Sequence, residues 1–110
     1  MIYKKYSYNY FIYKIVKINI VLKKMKKKIS IIITLFRTPL KKIKNLNQYR
    51  NFNTLVFEQE QNNESIVHIK KILKFKFKYY GSNKNIGLGK ASNFLFDKVK
   101  NKYCLFTQPD

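Results

Sequence analysis

From Ile29 onward the chain alternates between short apolar runs and stretches with helical spacing. Ile29-Ser30-Ile31-Ile32-Ile33-Thr34-Leu35 is β-branched and almost wholly apolar, the pattern of a strand covered on both faces. Thr38-Pro39 predicts a helix start, with a hydroxyl N-cap and proline at the first helical position. Leu40, Ile43 and Asn47 follow at helical spacing, lysines take the other face, and this helix should fade by Asn51. Thr54-Leu55-Val56-Phe57 is a second short strand. Asn62-Asn63-Glu64-Ser65 opens a second helix, with Ile66, Ile69 and Leu73 at i, i+3 and i+7. Phe75 to Tyr80 alternates lysine with aromatics and predicts a half-exposed third strand, broken by Gly81-Ser82-Asn83. Leu88, Ala91, Leu95 and Val99 mark a third helix, and Lys102 to Thr107 a fourth strand. The order β-α-β-α-β-α-β, without hairpin signals or internal repeats, predicts an α/β fold: a Rossmann-like parallel sheet with right-handed crossovers.

In such a sheet the C-terminal strand ends share one rim, and ligands bind in the crevice there. Thr34, Phe36 and Arg37 follow the first strand, and Glu58, Gln59 and Glu60 the second. Asn83 to Gly89 follow the third and Gln108-Pro109-Asp110 the fourth. Three of the five acids and two of the three glycines therefore collect on one rim. Each has a use: Glu58 accepts hydrogen bonds from a base or ribose, and Gly87 and Gly89 let backbone approach a ligand. Asn85 offers a donor and an acceptor, Lys90 offsets phosphate charge, and Asp110 suits a hard divalent cation. Gly87-Leu88-Gly89-Lys90 is not a P-loop, because Lys84 stands where the first glycine is required and Ala91 replaces the Ser or Thr. A dinucleotide fingerprint fails as well, for want of a third glycine.

Residues 1–28 differ from the rest. They carry nine lysines and no acid. Their apolar part, Phe11 to Leu22, is interrupted by Lys14 and Lys17, too short and too charged to span a bilayer. A signal-peptide cleavage site is absent. Residues 1–25 are therefore expected to be a dispensable basic, aromatic extension, disordered or preceding a true start at Met25; an interfacial membrane anchor is the alternative.

Composition changes the picture less than its charge suggests. The formal charge is +19, from 24 basic and 5 acidic residues, but only Arg37 and Arg50 are arginine. Base readout and bidentate phosphate contacts favour arginine. The excess of Lys, Asn, Ile, Tyr and Phe fits the codon content of an A+T-rich genome, although weak, salt-sensitive adhesion to polyanions is still expected. A single cysteine, Cys104, excludes an internal disulfide framework and reads as a buried small hydrophobe. A single histidine, His68, with no cysteine nearby, makes no metal cluster and fits a surface or half-buried helix position.

The pattern Asn85-x-Gly87-x3-Ala91-x-Asn93, followed by an apolar strand ending in Pro109-Asp110, resembles family 2 glycosyltransferases of the GT-A fold, nearest to rhamnosyltransferase-like members. Ile29 to Thr34 resembles the family's opening strand, and Leu55 to Ser65 sits where the family has a strand followed by Asp-Asn-Gly-Ser. The resemblance spans about residues 26–110 and implies the first four strands of that fold. It implies a donor-binding half for a nucleotide-diphosphate sugar, and a glycan or lipid-linked acceptor. Thr34, Arg37, Glu58, Asn85, Gly87 and Lys90 would then face the donor, and Asp110 would match the second acid of the family's Asp-x-Asp metal motif, holding Mg²⁺ or Mn²⁺. It also implies a cytoplasmic enzyme, peripheral to the inner face of the membrane. Glu58-Gln59-Glu60 replaces Asp-Asn-Gly, and Gln108 replaces the first acid of the metal motif. No residue of this chain matches the family's catalytic base, so the chain alone is expected to be inactive. The rival expectations are a small basic protein that binds nucleic acid through lysine and aromatic side chains, and an inactive gene remnant.

Overall fold

The computed structural model describes residues 28–109 and the backbone of Ile2–Lys4 and Tyr10–Phe11. The chain folds as an α/β structure around one six-stranded sheet. Its strands are β1 (Ile2–Lys4), β2 (Tyr10–Phe11), β3 (Ile29–Phe36), β4 (Asn53–Gln59), β5 (Lys78–Gly81) and β6 (Tyr103–Thr107). Among the described residues the helices are α1 (Leu40–Lys44), continued by a 3₁₀ turn over Asn45–Tyr49, α2 (Asn63–Ile72) and α3 (Leu88–Lys98).

The sheet order is β2-β1-β6-β3-β4-β5. Its four central strands, β6, β3, β4 and β5, are all parallel. Numbered by chain order among themselves they run 3-2-1-4 from the β5 edge, the order in which Rossmann-type sheets begin. The direction of travel reverses between β3 and β6, so the switch point lies there. On the far side of β6, β1 runs antiparallel, with Ile2 opposite Leu105, and β2 pairs antiparallel with β1. These two strands belong to the stretch set aside from the fold on sequence grounds. The rest of that stretch, including Met25, lies outside the described residues.

The pleat of β3 sorts the core. Ile29, Ile31, Ile33 and Leu35 face α1 and α2, where Ile43, Leu46, Ile69 and Leu73 cover them. Ile32 faces α3, with Leu55, Phe57 and Cys104 beside it and Ala91, Leu95 and Val99 above. Burial on both faces is what a β-branched, nearly continuous apolar strand requires.

Most helix signals hold, and one shifts. Asn62 caps α2 in a reciprocal box: Ser65 N–H donates to Asn62 Oδ1 at 2.8 Å, and Asn62 N–H donates to Ser65 Oγ at 3.0 Å. Thr38 does not cap α1, because its Oγ1 accepts from Phe36 N–H at 3.3 Å, and Pro39 takes the cap position with no side-chain bond. That helix is correspondingly short. Leu40 stays 49% exposed, while Leu46, outside the predicted spacing, is 2% exposed in the core. Asn47 joins this region to the end of α2, donating to Ile72 C=O and accepting from Lys74 N–H at 2.7 Å. Strand β5 starts later than predicted, at Lys78; Phe75 and Phe77 pack against the core from the preceding irregular segment. Among the described residues no helix is long and apolar enough to cross a membrane.

Candidate functional site

Beside the switch point β3 outruns β6. Ile33 is the last residue of β3 with a β6 partner, and Thr34 pairs only across to Phe57 of β4. The missing neighbour leaves a cavity of about 400 Å³ at the strand ends, walled by Thr34, Phe36, Gln59, Asn85, Gly87 and Gln108, among others. Thr34 is 6% exposed and its Oγ1 has no hydrogen-bond partner, the one such buried side-chain atom among the described residues. Buried hydroxyls are almost always paired, so this one is an exception among the described residues.

The glycine-bearing loop forms the opposite wall. Gly87 has φ 91° and takes the N-cap position of α3. A side chain there would be strained although nothing lies within 4 Å of its place. The first intrahelical bond of α3 runs from Ala91 N–H to Gly87 C=O at 3.1 Å. The amides of Leu88, Gly89 and Lys90 therefore have no intrahelical acceptor, at the end of the helix where partial positive charge gathers. Gly89 has an ordinary φ and open space around it, so its freedom is not needed. Lys90 is exposed in the first turn of α3, outside the cavity wall.

Gln59, which its sequence position puts on the rim without a role of its own, holds this loop. Its Oε1 accepts from Ile86 N–H at 2.6 Å and from Gly87 N–H at 3.0 Å. Asn85 adds a turn of its own, its Oδ1 accepting from Gly87 N–H at 2.8 Å.

Glu58 and Arg37 lie elsewhere. Strand β4 extends two residues beyond the predicted Phe57, through Glu58 to Gln59. Successive side chains on a strand face opposite ways. Phe57 and Gln59 face α3, and Glu58 faces α2. There a second cavity of about 270 Å³ is lined by Arg37, Glu58, Glu60, Ser65 and His68, among others. Glu58 is 8% exposed, and its Oε1 accepts from Ser65 Oγ at 2.9 Å and from the Tyr79 hydroxyl. Burial pushes the Tyr79 hydroxyl above the ordinary tyrosine range; a bond with Gln61 opposes this and the Glu58 carboxylate adds to it. Ser65 and Tyr79 thus both donate to Glu58, and the pleat places Glu58 on the α2 face, apart from the cavity that Asn85 and Gly87 line.

Arg37 is likewise engaged. Its Nε donates to Glu60 Oε1 at 2.7 Å and its Nη2 to Oε2 at 3.2 Å. The hydrogen bond to Arg37 holds the Glu60 carboxyl below the usual range, and the same bond raises the guanidinium further. Both residues have positive φ, 49° and 56°, so two sparsely populated conformations stand side by side at adjacent strand ends. His68 is half-buried on α2, as its context predicts, and Cys104 is buried.

Of the residues singled out for donor binding, the first cavity therefore unites Thr34, Asn85 and Gly87, adds Gln59 and Phe36, and excludes Glu58, Arg37 and Lys90. Gln108 and Pro109 complete its wall from the end of β6. Asp110 lies outside the described residues. Gln59 was within reach of the sequence: the parity of Leu55 and Phe57 places residue 59, and not 58, on the α3 face.

No family model matches the chain, and neither a curated protein nor a solved structure does.

Proposed function

We propose that this chain binds the nucleotide of a nucleotide-diphosphate sugar in the cavity beside the switch point, as the donor-binding half of a family 2-like glycosyltransferase. One observation carries the proposal: an unpaired, buried Thr34 hydroxyl in a strand-end cavity whose other wall is the Asn85–Gly87 loop. Such a crevice is where open α/β sheets take their nucleotides. The aromatic face of Phe36 suits a base, and the free amides at the start of α3 suit a phosphate. The role assigned to the chain is binding and orientation of the donor; no catalytic residue is assigned.

A divalent ion would meet the protein through Asp110, two residues past Gln108, with the diphosphate supplying further oxygens. Among the described residues no group of three acidic, histidine or cysteine side chains is placed to hold a metal ion. Gln108 offers a neutral carbonyl oxygen at most, so the fit rests on Asp110. When bound, the ion would offset leaving-group charge.

Calorimetry of the 110-residue chain with UDP, dTDP and GDP, with and without Mn²⁺, tests the proposal. Saturable binding of a nucleoside diphosphate, with the Mn²⁺-dependent part lost in Asp110→Asn, is expected. No saturable binding to any of them, together with lysine-dependent and steeply salt-sensitive binding to single-stranded nucleic acid, would replace this function with the nucleic-acid one.

A further inference from the structure

Strand β5 is the outermost of the described strands at its end of the sheet, paired with β4 on one side and with no described strand on the other. Such an edge presents backbone N–H and C=O groups with which an extended segment can pair. Its charge has one sign. From Ser65 to Phe96 the sequence holds seven lysines and no acid. Three of them, Lys74, Lys76 and Lys78, stand at alternate positions and are exposed; the first two lead into β5 and the third opens it. The residues between and after them turn the other way. The rings of Phe75, Phe77 and Tyr79 follow one another at 5.6 and 5.7 Å, packed against the core under α2. The pairing agrees: Tyr79 stands opposite Val56, on the α2 side of the sheet, and Lys78 opposite Leu55, on the α3 side. The lysines therefore recur every second residue along this edge, a repeat of roughly 6.6 Å in extended chain.

We infer that the β5 edge docks an extended acidic segment of a partner protein, with Asp or Glu at alternate positions, which joins the sheet as a further strand. Backbone pairing supplies the attachment, and lysine–carboxylate pairs across the new strand pair choose the partner. The same lysines hold off a second copy of this chain, whose formal charge is +19, because like charges on facing edges repel. The edge is thus closed to its own kind and open to acids. A single strand of nucleic acid matches the charge but not the rings. Its bases need free aromatic faces on which to stack. Here Phe75, Phe77 and Tyr79 pack on one another and on the core, and Tyr80 lies edge-on to Phe94 at 5.2 Å, with Lys98 Nζ 5.9 Å from its centroid. No residue of β5 lines the strand-end cavity, so this inference does not depend on the function proposed above.

The probe is a fluorescein-labelled peptide of alternating threonine and glutamate, about eight residues long, titrated with the 110-residue chain and read by anisotropy. A fully N-methylated form of the same peptide keeps every carboxylate and has no N–H to pair. The plain peptide should bind saturably, about tenfold or more tighter than the methylated one. Lys76→Glu with Lys78→Glu should weaken it about fivefold or more. Lys41→Glu with Lys42→Glu, the same change of charge at exposed positions on α1, should change it by less than about twofold. Melting curves confirm that the variants fold, and Lys76→Thr with Lys78→Thr serves if the glutamate pair does not. No binding, equal affinity for the two peptides, or equal loss in the two double variants would overturn the inference, leaving only diffuse attraction to a basic protein. Tighter binding of an oligothymidylate, lost in the Lys76 and Lys78 variants, would overturn it as well and give the edge to nucleic acid.

Discussion

Replacing Thr34 by valine should raise stability and lower nucleotide affinity, two effects of opposite sign from one oxygen atom. Thr34 is 6% exposed, and its hydroxyl has no partner. Burying a hydroxyl unpaired costs about 1–3 kcal/mol in mutational data. Valine has nearly the same shape, suits a strand as well as threonine does, and lies against Phe57 across the β3–β4 ladder. Removing the penalty should therefore stabilise the ligand-free chain by about 1 kcal/mol or more, a rise of roughly 4–8 °C in melting temperature for a domain near this size. Circular dichroism of thermal unfolding, without nucleotide, reads the first effect. Calorimetry with UDP reads the second, where loss of a hydrogen bond to the ligand predicts weaker binding. A fall in melting temperature would show that the hydroxyl is satisfied in the free protein. A rise with unchanged UDP affinity would show that Thr34 does not touch the ligand, and would remove the main support for placing the nucleotide in this cavity.

Other predictions follow from backbone and burial. Gly87→Ala should destabilise by about 1–2 kcal/mol in urea unfolding despite the open space around it, because φ of 91° is strained for any side chain. Gly89→Ala, in ordinary helical geometry, should be neutral or stabilise by about 0.4–1 kcal/mol. Because burial raises the Tyr79 pKa in the folded state, its contribution to stability is fully present below the unfolded tyrosine value near 10 and is lost as pH rises above it. Stability should therefore decline from about pH 10 upward, and Tyr79→Phe should reduce that slope in pH-dependent denaturation; an identical slope would show that the hydroxyl does not stay protonated on folding.

The elements were legible because their signals were local. A β-branched apolar run, an Asn62–Ser65 box and the i, i+3, i+7 spacing of Leu88, Ala91 and Leu95 each specify an element from its own residues. The errors lie where tertiary contacts overrode a local preference. Thr38 looked like a cap, but its hydroxyl found the nearer Phe36 amide. Glu58 and Gln59 looked like loop because they are polar, yet each has donors waiting in another part of the fold, Ser65 and Tyr79 for one and the Ile86–Gly87 amides for the other. Tyr79 and the Ile86–Gly87 amides are 21 to 28 residues away, beyond the reach of a local window. The site was half visible for the same reason. Topology placed the strand ends on one rim, but only the pleat, counted from Phe57, decides which of two adjacent residues reaches which cavity.

The position of β6 has a consequence for how the protein is made. It is the last of the described strands in chain order, yet it sits between β1 and β3, with Tyr103 opposite both Lys4 and Ile29. Its partners are therefore synthesised long before it exists. Until then β3 lacks one neighbour, and its apolar residues await a strand more than 60 positions further on. Contacts this distant in sequence slow folding and lengthen the time during which apolar strand edges are open to other chains. The nascent chain is accordingly expected to need protection by a holding chaperone until residues 103–107 have left the ribosome, and to aggregate if synthesis halts before them.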